Sequence, residues 1–442
     1  MKTIVLELPS DDEDYEPPKK RGRTSYSSRF KKYIKNDEYS VYFDNTFTNP
    51  QKKKIIEEIE VLSKVNDSTK PILFKFLQRT GIPTDIKQII FNKINTLSQM
   101  DVSDGEYHKL NHWVTSILSL PFNEYNPFPV NISDGKQKCK DFLEQSQQLL
   151  NKSVYGMESA KMQIMQLLSQ WIMNPESVVS SIALKGPMGT GKTTLLKNGI
   201  SKILNREMVF IPLGGASEVS YLEGCSYSYI GSTYGKIIEA LLLCKTNNPI
   251  IYFDELDKVS ETVKGNEIIN VLIHLTDVTQ NNEFYDKYYS DIKIDMSKCL
   301  FIFSYNDEHK INKILRDRLY VIETTGYNTK DKIVISRDFL LPSIETNLNM
   351  KDTCLFTDEV IKYIIENKVA PELGVRNLKR TFENIFTKLN LYNIMDTDTD
   401  TKLFNEPRIK SVEFPFNVSN SVLNDLIKII KNEDVSKLNM YI

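Results

Sequence analysis

The middle of the chain alternates short apolar runs with longer segments of helical periodicity. The apolar runs predict five strands, at residues 178–185, 208–213, 250–254, 299–305 and 320–324. Helical segments lie between these runs. Strands that alternate with helices form a parallel sheet with helices on both faces. The pattern therefore predicts an α/β domain around a five-stranded parallel sheet.

Helical patterns dominate on both sides of this region. Apolar residues recur at helical spacing through most of residues 51–120, and a Pro- and Asn-rich stretch at 122–134 predicts a linker. Helices are again predicted after residue 330, with one short strand at 411–416. We therefore divide the chain into four parts: a tail (1–50), a helical N-terminal region with its linker (51–145), the α/β domain (146–327), and a second helical region with a C-terminal extension (328–442).

The tail is predicted to be disordered because charge blocks with little aliphatic content cannot bury enough surface to fold. An acidic run at 11–16 precedes a basic cluster that extends to Lys35. Two interpretations of the cluster stay open. One is a solvated tail, and the other is a nuclear-import signal or a nucleic-acid-binding arm.

Composition narrows the class of protein. The 442 residues suggest two to four domains, and 40% hydrophobic with 26% charged residues is ordinary for a soluble globular protein. A net charge of -2 gives no argument for whole-chain attraction to nucleic acid or membrane. No secretory signal or apolar span is expected, and five scattered cysteines indicate free thiols in a reducing compartment. We expect a cytoplasmic protein, with a nuclear location left open by the cluster Lys19–Arg23.

One segment between the first predicted strand and a helix has the pattern G-x-x-x-x-G-K-[ST]. It consists of Gly186, Pro187, Met188, Gly189, Thr190, Gly191, Lys192 and Thr193, and Thr194 follows at the start of the helix. Glycines let successive backbone N–H groups surround phosphate oxygens, and the helix N-terminus adds its dipole. Lys192 is expected to reach the β- and γ-phosphates and Thr193 to hold Mg²⁺. The segment predicts a phosphate-binding P-loop.

A pair of carboxylates ends the third predicted strand. Asp254 is expected to hold Mg²⁺, directly or through water, and Glu255 to polarise the water that attacks the γ-phosphate. Asn306 ends the fourth predicted strand at the sheet edge where ligands bind, so it is a candidate for positioning that water. Arg318 leaves two interpretations open: an arginine finger that reaches a neighbouring subunit's phosphates, or an intramolecular Arg–Asp pair.

Together these motifs, in this order, resemble an AAA+ ATPase, and several stretches resemble the Lon protease family in particular. These stretches are L-G-G-A-S-E-V at 213–219, Y-I-G-S with G-K-I-I at 229–238, D-E-L-D-K at 254–258, Q-N-N-E-F at 280–284 and L-G-V-R-N-L at 373–378. The similarity extends over about residues 71–391. The resemblance implies an AAA+ P-loop fold in which the second helical region is a lid.

The resemblance also implies roles for individual residues. Asn306 corresponds to sensor 1, Arg318 to the arginine finger and Arg376 to sensor 2 on the lid. Tyr229 and Ile230 resemble the aromatic–aliphatic pair of the first pore loop, which grips unfolded polypeptide. Residues 260–265, with Val263, correspond to a second pore loop. The implied assembly is a homohexameric ring that binds ATP and Mg²⁺ and acts on unfolded or misfolded protein, as a chaperone-like motor of protein quality control.

No segment resembles the serine–lysine peptidase domain of that family, and the β-rich N-terminal domain also has no counterpart. We therefore expect an ATP-driven unfoldase without its own peptidase activity and without membrane association. Three alternatives stay open. They are an ATPase partner of a separate peptidase, a DNA-dependent motor that uses the basic arm, and a non-catalytic scaffold, against which the intact acidic pair argues.

Overall fold

The computed structural model describes residues 26–34, 37–65, 71–175, 181–394, 412 and 414–427. These residues divide into two compact units, 1–79 and 80–442. Within the described ranges, no helix combines the length and apolar character needed to cross a membrane.

The smaller unit is helical where it is described. Its helices are Tyr26–Tyr33, Asp37–Thr46, Asn49–Val65 and Ile72–Gln78. Phe30 and Phe43 are buried and stack with ring centroids 4.1 Å apart, and Ile56 completes this small core. The prediction that residues 1–50 are disordered is therefore wrong for residues 26–33, 37–46 and 49–50, whereas residues 1–25, with the acidic run and the basic cluster at 19–23, lie outside the described residues. Aromatic residues within the charged sequence give these short helices an apolar cluster to bury, and burial of this kind drives folding.

The larger unit contains the five-stranded sheet. Its strands are β1 (Ser181–Lys185), β2 (Met208–Pro212), β3 (Ile250–Asp254), β4 (Leu300–Tyr305) and β5 (Tyr320–Glu323). All neighbours are parallel, in the order β2-β3-β4-β1-β5. The predicted α/β class is confirmed. The central strands β1, β3 and β4 are buried almost throughout, as in a parallel sheet with helices on both faces, whereas the edge strands β2 and β5 are partly exposed.

Helices surround this sheet and continue after it. Before β1 they are Thr84–Gln99, Gly105–Ser119, Lys136–Ser153 and Glu158–Met173. Between the strands they are Lys192–Thr194, Leu195–Ile200 and Ser201–Leu204, which continue one another, and then Ser220–Glu223, Lys236–Cys244, Val263–Thr276 and Lys313–Asp317. The predicted domain boundary at residue 145 is wrong, because it falls inside Lys136–Ser153. That helix packs through Leu150 into the core beneath the sheet.

The C-terminal helices form a core of their own, which we call the lid. Its helices are Thr329–Ile335, Ser336–Leu340, Leu341–Leu348, Asp358–Asn367, Arg376–Ile394 and Asn420–Leu426. Phe382, Ile385 and Phe386 lie fully buried at helical spacing along Arg376–Ile394. Two short strands, Cys354–Leu355 and Phe416–Asn417, pair in parallel within the lid. The strand predicted at 411–416 is thus observed only from Phe416; residues 411 and 413 lie outside the described residues.

Candidate functional site

A cavity of about 560 Å³ opens at the carboxyl edge of the sheet, between the sheet and the lid. Several residues that the sequence singled out line it: Met188, Gly189, Thr190, Gly191, Lys192, Thr193, Thr194, Asp254, Glu255, Asn306 and Arg376. They lie at or just after the ends of three strands and on the first turn of a helix in the lid. The fold thus brings together groups that are up to 188 positions apart in the sequence.

The P-loop takes a conformation that its glycines permit. Gly189 and Gly191 have φ angles of 72° and 96°, in the left-handed region that side chains with a Cβ seldom adopt. Helix begins directly afterwards, at Lys192. The backbone N–H groups of this first turn lack intrahelical partners, so they are available to phosphate oxygens.

Lys192 lies at the base of the cavity and is half-buried. Its Nζ donates to the carbonyl oxygens of Gly186 (2.5 Å) and Pro187 (3.1 Å) and to Asn306 Oδ1 (2.9 Å). Desolvation lowers the pKa of the Lys192 ammonium to about 8, and the nearby carboxylates of Asp254 and Asp257 oppose this shift. Phosphate charges beside the ammonium favour its protonated form in the same way. The bond to Asn306 fixes the ammonium between the P-loop and the end of β4.

Asp254 ends β3 with one carboxylate oxygen held by two hydroxyl groups. Tyr252 OH donates to Asp254 Oδ1 over 2.8 Å, and Ser304 Oγ donates to the same oxygen. Thr193 Oγ1 lies 3.4 Å from the Tyr252 hydroxyl. Carboxylate and hydroxyl oxygens are the hard donors that Mg²⁺ prefers. The donor set therefore fits Mg²⁺, with Thr193 and Asp254 as the residues that would hold it.

Glu255 follows immediately and is exposed at the mouth of the cavity. Its backbone has a φ of 59°, which turns the side chain away from the strand direction, and its N–H donates to Ser304 Oγ over 3.2 Å. Glu255 Oε2 lies against Gly214: a Cβ at residue 214 would come within 2.3 Å of it. Gly214 therefore provides the space that the Glu255 carboxylate occupies.

The lid contacts the P-loop directly. Val375 N–H donates to Gly189 O over 3.0 Å, and a Cβ at residue 189 would lie 2.9 Å from Arg376 Cβ. Tyr327 OH donates to Thr190 O over 2.6 Å from the junction of sheet and lid. Arg376 is exposed at the start of its helix and lines the cavity. A change in lid orientation would thus move Arg376 relative to the backbone of the P-loop.

Arg318 lies elsewhere and is not among the residues that line the cavity. Its Nη1 pairs with Asp277 Oδ2 over 2.8 Å, and about a third of its side chain is exposed. Asp277 is held in turn by Thr279, whose hydroxyl and N–H donate to Asp277 Oδ1 and hold the pKa of this carboxyl below its usual range. Within this chain, Arg318 thus forms the Arg–Asp pair that the sequence left open.

The predicted pore loop lies on the surface, apart from the cavity. Tyr229 is 68% exposed and Ile230 is completely exposed, at a turn that Gly231 completes with a φ of 76°. Val263, in the predicted second pore loop, is 78% exposed. Exposed apolar side chains on a short turn are available for contact with another polypeptide.

Beneath this turn a buried carboxylate ties two segments together. Asp286 is fully buried and accepts N–H bonds from Gly235 (2.8 Å) and Tyr288 (2.9 Å). Burial raises the pKa of the Asp286 carboxyl to about 7, although both N–H bonds oppose the shift. Gly224 packs against the same carboxylate. Asp286 thus anchors the segment after the predicted pore loop through Gly235 and packs against Gly224 before it.

Sequence reasoning missed five residues of this arrangement: Gly214, Tyr252, Asp286, Ser304 and Tyr327. Gly214 lies in the stretch at 213–219 that carried the family resemblance, and Asp286 lies two residues after the stretch at 280–284, so their position in or beside a motif was a usable signal. Tyr252 and Ser304 lie within apolar runs, two residues before the polar ends of their strands. Alternate residues of a strand point to the same face, so a hydroxyl at that spacing was a weaker signal.

Comparison with known proteins agrees with this geometry. Residues 182–327 match the family model described as ATPase family associated with various cellular activities (AAA). The chain is 36% identical over 351 residues to a Lon protease homolog of Acanthamoeba polyphaga mimivirus. The aligned region covers 77% of this chain and 33% of that protein. It is 34% identical to Lon protease 2 of Borreliella burgdorferi, over 71% of this chain and 38% of the relative.

A third relative, the mitochondrial Lon protease homolog of Schizosaccharomyces pombe, is 30% identical over 76% of this chain and 30% of its own length. The chain thus spans about a third of the length of the curated relatives it matches. The family model matches the part of the chain that contains the sheet, the P-loop and the carboxylate pair. The chain therefore carries an AAA domain and is similar to Lon proteases over about three quarters of its length.

Proposed function

We propose that this chain hydrolyses ATP with Mg²⁺ and uses the energy to unfold or move protein substrates as a subunit of a ring. The observation that carries the proposal is the single cavity that gathers the P-loop, Asp254, Glu255, Asn306 and Arg376. Each group has a place in phosphoryl transfer. The backbone and Lys192 bind phosphates, and Asp254 with Thr193 holds the metal. Glu255 orients the attacking water.

Mg²⁺, when bound, neutralises developing charge on the phosphate oxygens. The chain's own residues then supply position. Asn306 fixes Lys192, and Glu255 stays exposed at the cavity mouth, where it can accept a proton from water. Arg376 lies on the lid and moves with it. Loss of the γ-phosphate would remove the contact between Arg376 and that phosphate, which holds the lid against the P-loop. This coupling is the proposed route from hydrolysis to movement.

Ring assembly is part of the proposal because Arg318 does not reach the cavity of its own chain. Arginine fingers act in trans in related phosphoryl-transfer sites. In a closed ring, each subunit presents the same surface to its neighbour, so one Arg318 would serve each cavity. We propose a homohexamer, with Tyr229 and Ile230 of each subunit facing the axis and gripping unfolded polypeptide by sequence-tolerant apolar contact.

The test measures the ATPase rate in three conditions: without substrate, with a permanently unfolded protein, and with DNA. The proposal predicts stimulation by the unfolded protein and none by DNA. Salt-sensitive stimulation by DNA alone would contradict it and favour a nucleic-acid motor. No ATP hydrolysis in any condition would contradict the enzymatic assignment itself.

We further propose that the described residues do not cut peptide bonds, and that any proteolysis coupled to this motor occurs in a separate peptidase. The same reactions test this, because fragments of the unfolded protein can be followed on a gel. Degradation by the purified chain would contradict this part of the proposal and leave the ATPase assignment intact.

A further inference from the structure

Tyr252 is a buried polar residue that the proposed mechanism does not use. It lies two residues before Asp254 on β3, so both side chains project from the same face of the strand. The residue is fully buried, and its ring packs at 5.5 Å from that of Phe210. A buried phenol hydroxyl cannot form hydrogen bonds with solvent, so it needs a hydrogen-bond partner within the protein. Here the partners are the two residues that would hold the metal.

The contacts of this hydroxyl are specific. It donates to Asp254 Oδ1 over 2.8 Å and lies 3.4 Å from Thr193 Oγ1. Ser304 Oγ donates to the same Asp254 oxygen while it accepts from Glu255 N–H. One oxygen of Asp254 is thus saturated by two hydroxyl groups.

The other oxygen, Asp254 Oδ2, receives no hydrogen bond from the residues that the structure describes. A carboxylate held at one oxygen presents the other in a fixed direction. Residues that orient a metal ligand in this way commonly contribute 10- to 100-fold to metal affinity. We propose that Tyr252, together with Ser304, is a positioning residue that fixes Asp254 and Thr193 in the arrangement that receives Mg²⁺.

This inference rests on the proposed function, because it assumes that Mg²⁺ enters the cavity with nucleotide. A core-filling role is the alternative, and Tyr252→Phe separates the two. The substitution keeps the buried ring and removes only the hydroxyl. A purely structural tyrosine would then leave metal dependence unchanged. If Tyr252 is a positioning residue, the variant should bind nucleotide normally in the absence of metal and should show weaker binding only where binding depends on Mg²⁺.

The experiment titrates Mg²⁺ at a fixed concentration of a fluorescent ATP analogue and follows binding, with no turnover required. For Tyr252→Phe, we expect the Mg²⁺ concentration at half-maximal binding to rise about tenfold, with analogue affinity in EDTA unchanged. Ser304→Ala should shift the same midpoint in the same direction. It provides the test if the tyrosine variant folds poorly.

Tyr305→Phe is the matched control. Tyr305 lies on the adjacent strand β4, is equally buried, and its hydroxyl has no hydrogen-bond partner among the described residues. Its removal should leave the Mg²⁺ midpoint unchanged. An unchanged midpoint in both Tyr252→Phe and Ser304→Ala would overturn the inference. If the wild-type chain binds the analogue without any Mg²⁺ dependence, the metal assignment of the proposed function fails instead.

Discussion

The cavity and the outer surface of the larger unit differ in how far their predicted functional side chains are already held by partners within the chain. In the cavity, Lys192, Asp254 and Asn306 already have fixed hydrogen-bond partners within the chain. On the surface, Ile230 is completely exposed, and Arg318 forms an ion pair with Asp277 while about a third of its side chain stays exposed. The proposed nucleotide site is therefore preorganised within the chain, whereas the side chains proposed to act in trans and to grip substrate lie on the surface.

This difference implies that nucleotide binding and turnover depend on different parts of the molecule. Preorganised groups bind without reorganisation cost, so binding should be a property of one chain. Turnover should need a neighbour.

Arg318→Ala should reduce the ATPase rate roughly 10³- to 10⁵-fold, the range seen when an arginine finger is absent. ATP binding should be unchanged, because Arg318 lies outside the cavity. Rate and binding are measured on the same preparation. Arg316→Ala is the matched control, since Arg316 is half exposed two residues earlier and pairs with Glu308. Equal loss of activity in both variants would contradict a specific role for Arg318.

Glu255→Gln should slow hydrolysis roughly 10²- to 10⁴-fold by removal of the base for the attacking water. Because the amide keeps the shape of the side chain against Gly214, the variant should fold and retain ATP. Bound ATP after gel filtration and the steady-state rate measure the two properties. Normal turnover in this variant would refute the assignment of Glu255.

Asp286→Asn should lower the free energy of unfolding by about 1–3 kcal/mol. The substitution replaces one acceptor oxygen with an NH₂ group, which faces a backbone N–H donor. Both of these buried N–H groups would then lack a hydrogen-bond acceptor. Chemical denaturation measures the loss. Asp291→Asn, an exposed aspartate five residues on, is the control and should change stability little. Equal stability of Asp286→Asn and wild type would show that this anchor contributes nothing.

The same carboxylate predicts a dependence on pH. Its pKa in the folded chain, about 7, lies above the ordinary value of 3.8, so the folded chain keeps a proton that the unfolded chain releases. The stabilisation from this proton is complete below about pH 4 and is lost as the pH rises through about 7. The free energy of unfolding should therefore fall more steeply between those pH values in wild type than in Asp286→Asn. Parallel curves would contradict the shift.

Tyr229→Ala should have the smallest effect, a rise of about 2- to 10-fold in the concentration of unfolded protein needed for half-maximal ATPase stimulation. This corresponds to about 0.5–1.5 kcal/mol of aromatic contact. The measurement is a titration with unfolded protein at saturating ATP. Met162→Ala, which removes an apolar side chain that is 62% exposed, is the control. A shift in the control alone would place the substrate contact elsewhere.

The sequence predicted the fold well where the signal was local. β3 is observed at its predicted bounds, and helices follow residue 330 as predicted, because an apolar run and a regular period each depend on neighbouring residues. Predictions failed where distant contacts decide. The helices at 26–33 and 37–46 depend on the stacking of Phe30 on Phe43, which no window of sequence shows.

The same division holds for the cavity. The P-loop and the pair Asp254–Glu255 are short motifs whose chemistry follows from adjacent residues. The hydroxyl groups that hold Asp254 were missed because Ser304 lies 50 positions away and meets Asp254 only through the pairing of β3 with β4. Arg318 was left between two interpretations, and one chain alone shows only the pair with Asp277.

Mixing two inactive variants tests the shared site most directly. Lys192→Ala chains lack a working cavity but keep Arg318, and Arg318→Ala chains lack the finger but keep the cavity. In rings assembled at random from equal amounts, about a quarter of the interfaces join an intact cavity to an intact Arg318. We predict that the mixture regains about a quarter of the wild-type ATPase rate. A mixture no more active than the sum of its separate components would contradict a site completed by the neighbouring subunit.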